Sequence, residues 1–352
     1  NAHQFRLTPW RNDPVSDPLG EVIYIRDRVQ GTCWAPTVRP IKYDQPVRVK
    51  HAHGWSEFTT QVCDIFSRLT LGHPKPVAAE IEAGILRREI ESLPAGQKLV
   101  ESGDFAVYIA RSQEIPSVLK EIGRLRELTF REVHEGTGRP LDLDRFDPYY
   151  LHLFLWNRKK SELVGAYRLG LADVILKENG LKGLYTTTLF KFKRPLLNQL
   201  ENAIEVGRSF VRSEYQKEYI CLSLLWRGIG HYCVQHPRYK ILFGPVSISQ
   251  DYHSFSKNLI VQFLRLNKLH PELARYVKAR APYRTILNAK AERQTVASMV
   301  SDVDDVSLLI SEIEKDGKGI PILLKHYLRL NAKILSFNVD RKFSNVVDSL
   351  IL

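Results

Sequence analysis

The feature that most restricts the fold of this chain is a pair of apolar runs separated by four polar residues. The first run is LHLFLWN at residues 151–157, the second is ELVGAYRLG at 162–170, and RKKS joins them. Runs of this length and composition are typical of β-strands, and so short a connection joins antiparallel neighbours. The hairpin therefore excludes a purely parallel, doubly wound sheet.

Helical and extended patterns alternate around this hairpin. An amphipathic helix is predicted at 115–134, and a strongly apolar helix at 218–235 lies between predicted strands at 203–211 and 239–249. Further helices are predicted at 254–267, 305–317 and 321–331, and further strands at 332–339 and 346–352. This order predicts an α/β protein with a mixed sheet flanked by helices.

The chain is basic and has few cysteines. Its 352 residues carry a formal net charge of +12, which favours nucleic acid, anionic lipid, an acidic carrier protein or phosphate-bearing cofactors as partners, or serves solubility alone. The four cysteines form no C-x-x-C motif, and no run of about 18 apolar residues is present. The sequence therefore predicts a cytosolic protein with reduced thiols.

The predicted strand AIEVGRSFV, at 203–211, carries two charges inside an apolar run. Glu205 and Arg208 flank Gly207, and a buried charge is expensive unless it is paired or used in chemistry. Gly207 leaves room for a ligand or another backbone, and the helix after the strand offers free N–H groups to an anion. Either these residues form an active site, or Glu205 and Arg208 are an ion pair at a sheet edge.

A second candidate is YKILFGPVSIS, in which Gly244 and Pro245 interrupt a strand. A neighbouring strand that separates from this break leaves backbone groups free for a linear ligand. Ser247 and Ser249 share one face beyond the break. The alternative is an ordinary kink in an edge strand.

A third candidate is the acidic loop DLDRFD, which contains Asp142, Asp144 and Asp147. It either holds a cationic amine or pairs with arginines of the preceding helix in a solvated loop. Those arginines are Arg124, Arg126 and Arg131.

Several common active-site motifs are absent from the sequence. The chain contains no G-x-G-x-x-G or Walker A loop, no H-x-x-x-H or H-E-x-x-H spacing, no G-x-S-x-G elbow and no H-x-x-x-x-D motif. These absences argue against a nucleotide-binding fold, a metal site, a serine hydrolase and a glycerolipid acyltransferase centre.

The ordered segments GRLRELTFREV, GTGRPLDLDRFDPYYLHLFLWN, ELVGAYRLG, AIEVGRSFV and YKILFGPVSIS resemble the GNAT-type N-acyltransferases of the ornithine-lipid synthase and hemolysin-like group. That group is related to the acyl-homoserine-lactone synthases, whose E-x-x-R-F strand is similar to EVGRSF. The resemblance predicts an acyltransferase core at 85–270 and a C-terminal part of the same module at 271–352. Residues 1–84 are predicted to be a short N-terminal extension without an assigned role, or the remnant of a preceding domain.

The resemblance implies a splayed sheet in which the strands at 203–211 and 239–249 part around a pantetheine arm. It implies transfer of a fatty acyl group from an acyl carrier protein thioester to the amine of an ornithine-like amino acid, giving a lyso-aminolipid. The phosphopantetheine thioester, or acyl-CoA, is then a co-substrate, and neither a metal nor a permanently bound cofactor is expected.

The resemblance also implies roles for the residues singled out above. Glu205 takes the proton of the amine, and Arg208 holds Glu205, a loop acid or the carrier arm. The other candidates bind substrate. Backbone N–H groups near Val211 stabilise the oxyanion. Asp144 and Asp147, supported by Arg126, orient the cationic acceptor, and two serines line the acyl-pantetheine groove. These substrate-binding candidates are Arg126, Asp144, Asp147, Val211, Ser247 and Ser249.

Two alternatives stay open from the sequence. One is an acyl-homoserine-lactone-type synthase or a coenzyme A-dependent N-acetyltransferase, and the other is a non-enzymatic basic protein of the membrane surface. The expected partners are acyl carrier protein, an amino acid and an anionic membrane touched peripherally at its inner face. Nucleic acid is disfavoured, because the basic residues are dispersed and no recognition-helix motif occurs.

Overall fold

The computed structural model describes residues 74–285, 302–341 and 343–352. The predicted N-terminal extension lies almost wholly outside the described residues. Residues Lys75–Leu352 form one compact unit. The C-terminal stretch contributes strands to the same main sheet as the residues before 270.

The described residues contain ten strands and eight α-helices. The strands are β1 (Lys98–Ser102), β2 (Phe105–Arg111), β3 (Leu151–Asn157), β4 (Glu162–Leu171), β5 (Phe190–Phe192), β6 (Ala203–Val211), β7 (Ile241–Ile248), β8 (Val277–Ala279), β9 (Ile334–Asp340) and β10 (Val346–Ile351). The helices are α1 (Ala83–Glu91), α2 (Pro116–Glu132), α3 (Ala172–Glu178), α4 (Arg194–Leu200), α5 (Tyr219–Gln235), α6 (Ser254–Asn267), α7 (Val303–Ile313) and α8 (Ile322–Arg329). Short 3₁₀ turns include Tyr185–Thr188 and Ser213–Tyr215.

The main sheet has eight strands in the order β1-β2-β3-β4-β6-β7-β10-β9, and β5 pairs with β8 in a small second sheet. The predicted hairpin is confirmed, since β3 and β4 are antiparallel and Phe154 lies opposite Ala166. Every described pair of the main sheet is antiparallel except β6 with β7, which is parallel. The fold is therefore the expected mixed α/β architecture.

Helices cover both faces of the sheet, which explains why β3 and β4 are apolar at nearly every position. Helix α5 packs on one face, where Leu224 and Ile229 meet Leu153 and Leu169. Helices α1 and α2 pack on the other face of the same strands. Helices α6, α7 and α8 form a core with β7, β9 and β10 on the α5 side.

The sheet opens between β6 and β7, as the sequence predicted. The two strands pair at only three positions, Ala203 with Ile241, Ile204 with Leu242, and Glu205 with Phe243. From Gly244 onward β7 pairs with β10 instead. We call the space beyond the Glu205–Phe243 pair, between the end of β6 and the end of β7, the strand gap.

Two glycines mark where the strand gap begins. A Cβ on Gly244 would lie 2.0 Å from the carbonyl oxygen of Val206, so the last close approach of the two strands requires glycine. A Cβ on Gly207 would meet no atom within 4 Å. The next residue, Arg208, has φ of 49° and sits in a bulge of β6 against β4. A bulge bends its strand, and this one lies where β6 leaves β7.

Candidate functional site

Glu205 lies on β6 at the last paired position before the strand gap. Its side chain is 2% exposed and accepts three hydrogen bonds. The donors are the Tyr150 hydroxyl, the Tyr185 N–H at 2.9 Å and the Thr186 N–H at 2.7 Å. The carboxylate thereby holds the 3₁₀ turn at 185–188 against the sheet, and Arg208 is not among its described partners.

Arg208 follows Gly207 at the edge of the strand gap. Its guanidinium lies 3.3 Å from the Asp142 carboxylate and 3.5 Å from that of Asp144. It also lies over the rings of Tyr185 and Phe343, at 5.4 and 5.1 Å from their centroids. Its Nε is buried and has no hydrogen-bond partner in the described part of the chain.

Arg126 and Arg168 form a buried network with the acidic loop. Arg126 donates to the Asp147 carboxylate at 2.9 Å and to the Asp142 carbonyl at 2.7 Å. Arg168, on β4, lies 3.2 Å from Asp147 and 2.6 Å from Asp144. Burial alone would raise the pKa of Asp147, but Arg126 and Arg168 hold it well below its usual range.

The acidic loop is therefore paired with arginines, but only one of the three arginines predicted from the preceding helix takes part. Arg126 belongs to α2, but Arg168 and Arg208 come from the sheet. Arg124 pairs with Glu121, and Arg131 pairs with Glu127. The loop acids are thus held over the sheet face on which Arg208 lies.

Val211 is not brought to these residues. It ends β6 opposite Gly165, six residues beyond Glu205. At about 3.3 Å per residue this separation is roughly 20 Å along the strand. Val211 therefore borders the outer end of the strand gap, away from Glu205, and the role of its backbone N–H in stabilising the oxyanion stays a prediction.

The two serines lie on the β7 side of the strand gap. The Ser247 hydroxyl donates to Oδ1 of Asp348 at 2.8 Å. The Ser249 hydroxyl lies 3.2 Å from the Asp251 carboxylate, just past the end of β7. A surface pocket of about 490 Å³ lies at the opposite end of these strands, where Asn202 and Ile241 line it.

Comparisons with known proteins agree with this geometry. The family model described as "Acetyltransferase (GNAT) domain" matches residues 125–227, and one described as "Glycosyl hydrolase 94, supersandwich domain" matches residues 1–83. The glycine N(alpha)-acyltransferase of Bacteroides thetaiotaomicron is 32% identical over 291 residues, which cover 79% of this chain and 84% of that protein. The chain belongs to the family of amino-acid N(alpha)-acyltransferases.

Two further relatives of this acyltransferase have related names. The glycine N(alpha)-acyltransferase of Phocaeicola vulgatus is 31% identical over 78% of this chain and 87% of that protein. The L-ornithine N(alpha)-acyltransferase of Rhodobacter capsulatus is 29% identical over 65% of this chain and 83% of that protein. Among solved structures, the AHL synthase LasI matches 42% of this chain and 74% of its own, at 16% identity and a TM-score of 0.30.

The protein is therefore an acyltransferase enzyme, and the non-enzymatic alternative is set aside. The GNAT match covers the acidic loop, Arg168, Glu205 and Arg208. It ends before β7 and β10, which form the other side of the strand gap. No helix in the described residues is long and apolar enough to cross a membrane.

The structure of this acyltransferase also adds charged residues that the sequence reasoning missed. Arg168 lies inside β4, Asp348 lies inside β10, and Glu135 follows α2; all three are buried. Burial raises the pKa of Asp348 to about 7. The pKa of Glu135 is also raised to about 7, mainly by burial and to a smaller extent by the negative charge of Asp348. The signal that singled out Glu205, a charge inside an apolar strand, was equally present in ELVGAYRLG and VVDSLIL.

Proposed function

We propose that this acyltransferase moves a fatty acyl group from an acyl carrier protein thioester to the α-amine of an amino acid, giving an N-acyl amino acid. The observation that carries the proposal is the strand gap, because β6 and β7 stop pairing after three residue pairs beside a buried cluster of charges. An extended pantetheine arm fits between two separated strands, since their unpaired backbone groups can bind its amides.

The reaction forms one bond and breaks another. The neutral amine attacks the thioester carbonyl, a C–N bond forms, and the C–S bond then breaks. The amine loses a proton to a base, and the departing thiolate gains one. Because an ammonium has no free electron pair, the site must supply a base close to the attacking nitrogen.

We assign the oxyanion of the tetrahedral intermediate to Arg208 rather than to the N–H groups near Val211. Arg208 directly follows Gly207, where the strand gap begins, and its Nε has no hydrogen-bond partner in the described residues, whereas Val211 borders the outer end of the gap. A donor held in place by Asp142, Asp144 and two aromatic rings needs little reorganisation when charge develops. Arg126 holds Asp147, and Asp147 shares Arg168 with Asp144, so both residues support Asp144 indirectly.

The acyl donor in this proposal is acyl carrier protein, with acyl-CoA as the second candidate. A net charge of +12 attracts an acidic carrier protein at long range and would speed its association at low salt. Coenzyme A offers the same pantetheine arm to the strand gap, so Ser247 and Ser249 would line the groove with either donor.

The acceptor in this proposal is glycine first and ornithine second. The glycine-named relatives are similar over 78 and 79% of this chain, and the ornithine-named relative over 65%. A homoserine-lactone-type product is the remaining alternative, and it needs an acceptor that closes into a lactone.

Product analysis with the purified chain tests the proposal. The chain is incubated with a long-chain acyl carrier protein or the matching acyl-CoA, together with glycine, ornithine or S-adenosylmethionine, and the products are identified by mass spectrometry. We expect an N-acyl amino acid that forms faster from the carrier-protein donor. A lactone product, or no amide from any pair of substrates, would contradict the proposal.

A further inference from the structure

Asp348 lies on β10, which borders β7 on the side away from β6. It sits on β10 directly opposite Ser247. Phe243 is opposite Glu205, and alternate residues of β7 share a face, so Glu205, Phe243, Ser247 and Asp348 all project from the same face of the sheet. Ser247 is four residues beyond Phe243, roughly 13 Å along β7.

The Asp348 carboxylate has one oxygen that the described residues leave unused. Its Oδ1 accepts the hydrogen bond from Ser247, whereas Oδ2 is buried and has no hydrogen-bond partner in residues 74–285, 302–341 and 343–352. The residue is 4% exposed in a strand of apolar neighbours. A buried acid with a free oxygen is costly to the fold, which indicates a use in binding or proton transfer.

The charged groups around Asp348 come from several elements. Arg208 of β6 favours its ionised form, whereas Asp340 of β9 opposes it. The negative charge of Asp348 also raises the pKa of Glu135, in the loop after α2, and the pKa of Tyr185. Burial is the largest effect on Asp348 and brings its pKa to about 7, so both protonation states are populated at neutral pH.

Glu205 is a weaker candidate for the base because three donors already hold its carboxylate. Two of them are backbone N–H groups of the 185–188 turn, and Oε2 accepts from both Tyr150 and Tyr185. One acceptor site, on Oε1 beside the Thr186 N–H, is left for an amine. Oδ2 of Asp348 has no donor from the described residues.

We infer that Asp348, oriented by Ser247, accepts the proton that the acceptor amine loses when it attacks the thioester. This inference rests on the proposed function and names the base that the reaction requires. The C–N bond forms, the amine proton passes to Oδ2 of Asp348, and Arg208 binds the oxyanion. The C–S bond then breaks. The thiolate then takes up a proton, so charge and atoms balance.

The test is the pH dependence of kcat/KM for Asp348→Asn, measured with the donor and acceptor that the wild type uses. The acceptor concentration is expressed as its unprotonated amine, so that titration of the amine itself does not contribute to the profile. In the wild type kcat/KM falls as the pH drops below about 7, because the base becomes protonated. Asp348→Asn lowers kcat/KM by about 100-fold or more at pH 8 and abolishes this fall. The control is Asp304→Asn, whose side chain is 61% exposed on α7, and it stays within about two-fold of the wild type.

A second variant keeps the inference testable if Asp348→Asn folds poorly. Ser247→Ala leaves the carboxylate in place but removes the donor that stabilises its charged form. The acidic limb of the profile then moves upward by about one pH unit.

The possible outcomes separate the two proposals. If the wild type forms no amide, the proposed function fails and this inference fails with it. If the wild type is active and folded Asp348→Asn keeps the acidic limb, or keeps its rate within two-fold, the inference alone is wrong. An unshifted limb in Ser247→Ala, with wild-type folding, also overturns it.

Discussion

Replacing Glu205 with glutamine separates a structural from a chemical role for this residue. The carboxylate accepts hydrogen bonds from the Tyr150 hydroxyl and from the N–H groups of Tyr185 and Thr186. A glutamine amide has one acceptor oxygen, and its NH₂ group can only donate. At least one of the three donors therefore faces another donor in Glu205→Gln, in a place that water does not reach.

The size of the effect follows from this count. A buried donor left without a partner costs about 1–3 kcal/mol, and each remaining bond loses the extra strength of a charged acceptor, about 1 kcal/mol. We expect Glu205→Gln to lower the free energy of unfolding by about 3–5 kcal/mol. Because a domain is stable by about 5–15 kcal/mol, the variant should still fold at 25 °C.

Urea denaturation followed by tryptophan fluorescence measures this loss. Tyr150→Phe is the matched control, since it removes one donor and leaves both N–H groups bound, at a cost of about 1 kcal/mol. The double variant should show a coupling energy of about 1 kcal/mol. A change below about 0.5 kcal/mol in Glu205→Gln, combined with a loss of kcat by 100-fold or more, would refute this account and restore Glu205 as the base.

Three more expectations follow from the same geometry. Gly244→Ala should cost about 3 kcal/mol of stability, because the new Cβ would lie 2.0 Å from a carbonyl oxygen. Gly207→Ala should leave stability unchanged and raise KM for the thioester, because its Cβ meets no protein atom but narrows the strand gap. Urea melts compare the stability of the two variants, and steady-state kinetics compare their KM values. Arg126→Met should cost about 3–5 kcal/mol, since it leaves buried carboxylates without their partner, and a thermal melt showing no change would contradict this. Asp348 has a raised pKa in the folded state, so the unfolded chain ionises first and stability falls as the pH rises from about 4 to about 7, by at most about 4 kcal/mol. Asp348→Asn should reduce that slope in urea melts across this range and leave the part due to Glu135, whose pKa is also raised to about 7.

The sheet could be predicted in large part because its signals are local. The bounds of β3 and β6 match the predicted runs, since apolar stretches with turn residues at both ends identify strands without tertiary information. The end of β6–β7 pairing agrees with what the family resemblance implied. The expected interruption at Gly244 and Pro245 was wrong, because β7 runs through both residues and pairs there with β10. The short strand β1, KLVES, has too weak a pattern to be found in this way.

The partners of the charged residues could not be predicted from spacing. Glu205 and Arg208 are three positions apart, yet one holds a 3₁₀ turn and the other binds the acidic loop. The bulge at Arg208 changes the alternation of faces along β6, so the simple rule that places alternate residues on opposite faces does not hold there. Asp348 was overlooked because its strand is 140 residues away from β6 in the chain.

The sequence by itself determined the hairpin and the mixed sheet, since apolar periodicity and turn residues act over a few residues. Only the tertiary structure decided which charges meet at the strand gap. Burial makes every charge seek a partner, and that partner is set by the packing of the acidic loop, β4, β6 and β10, not by distance along the chain.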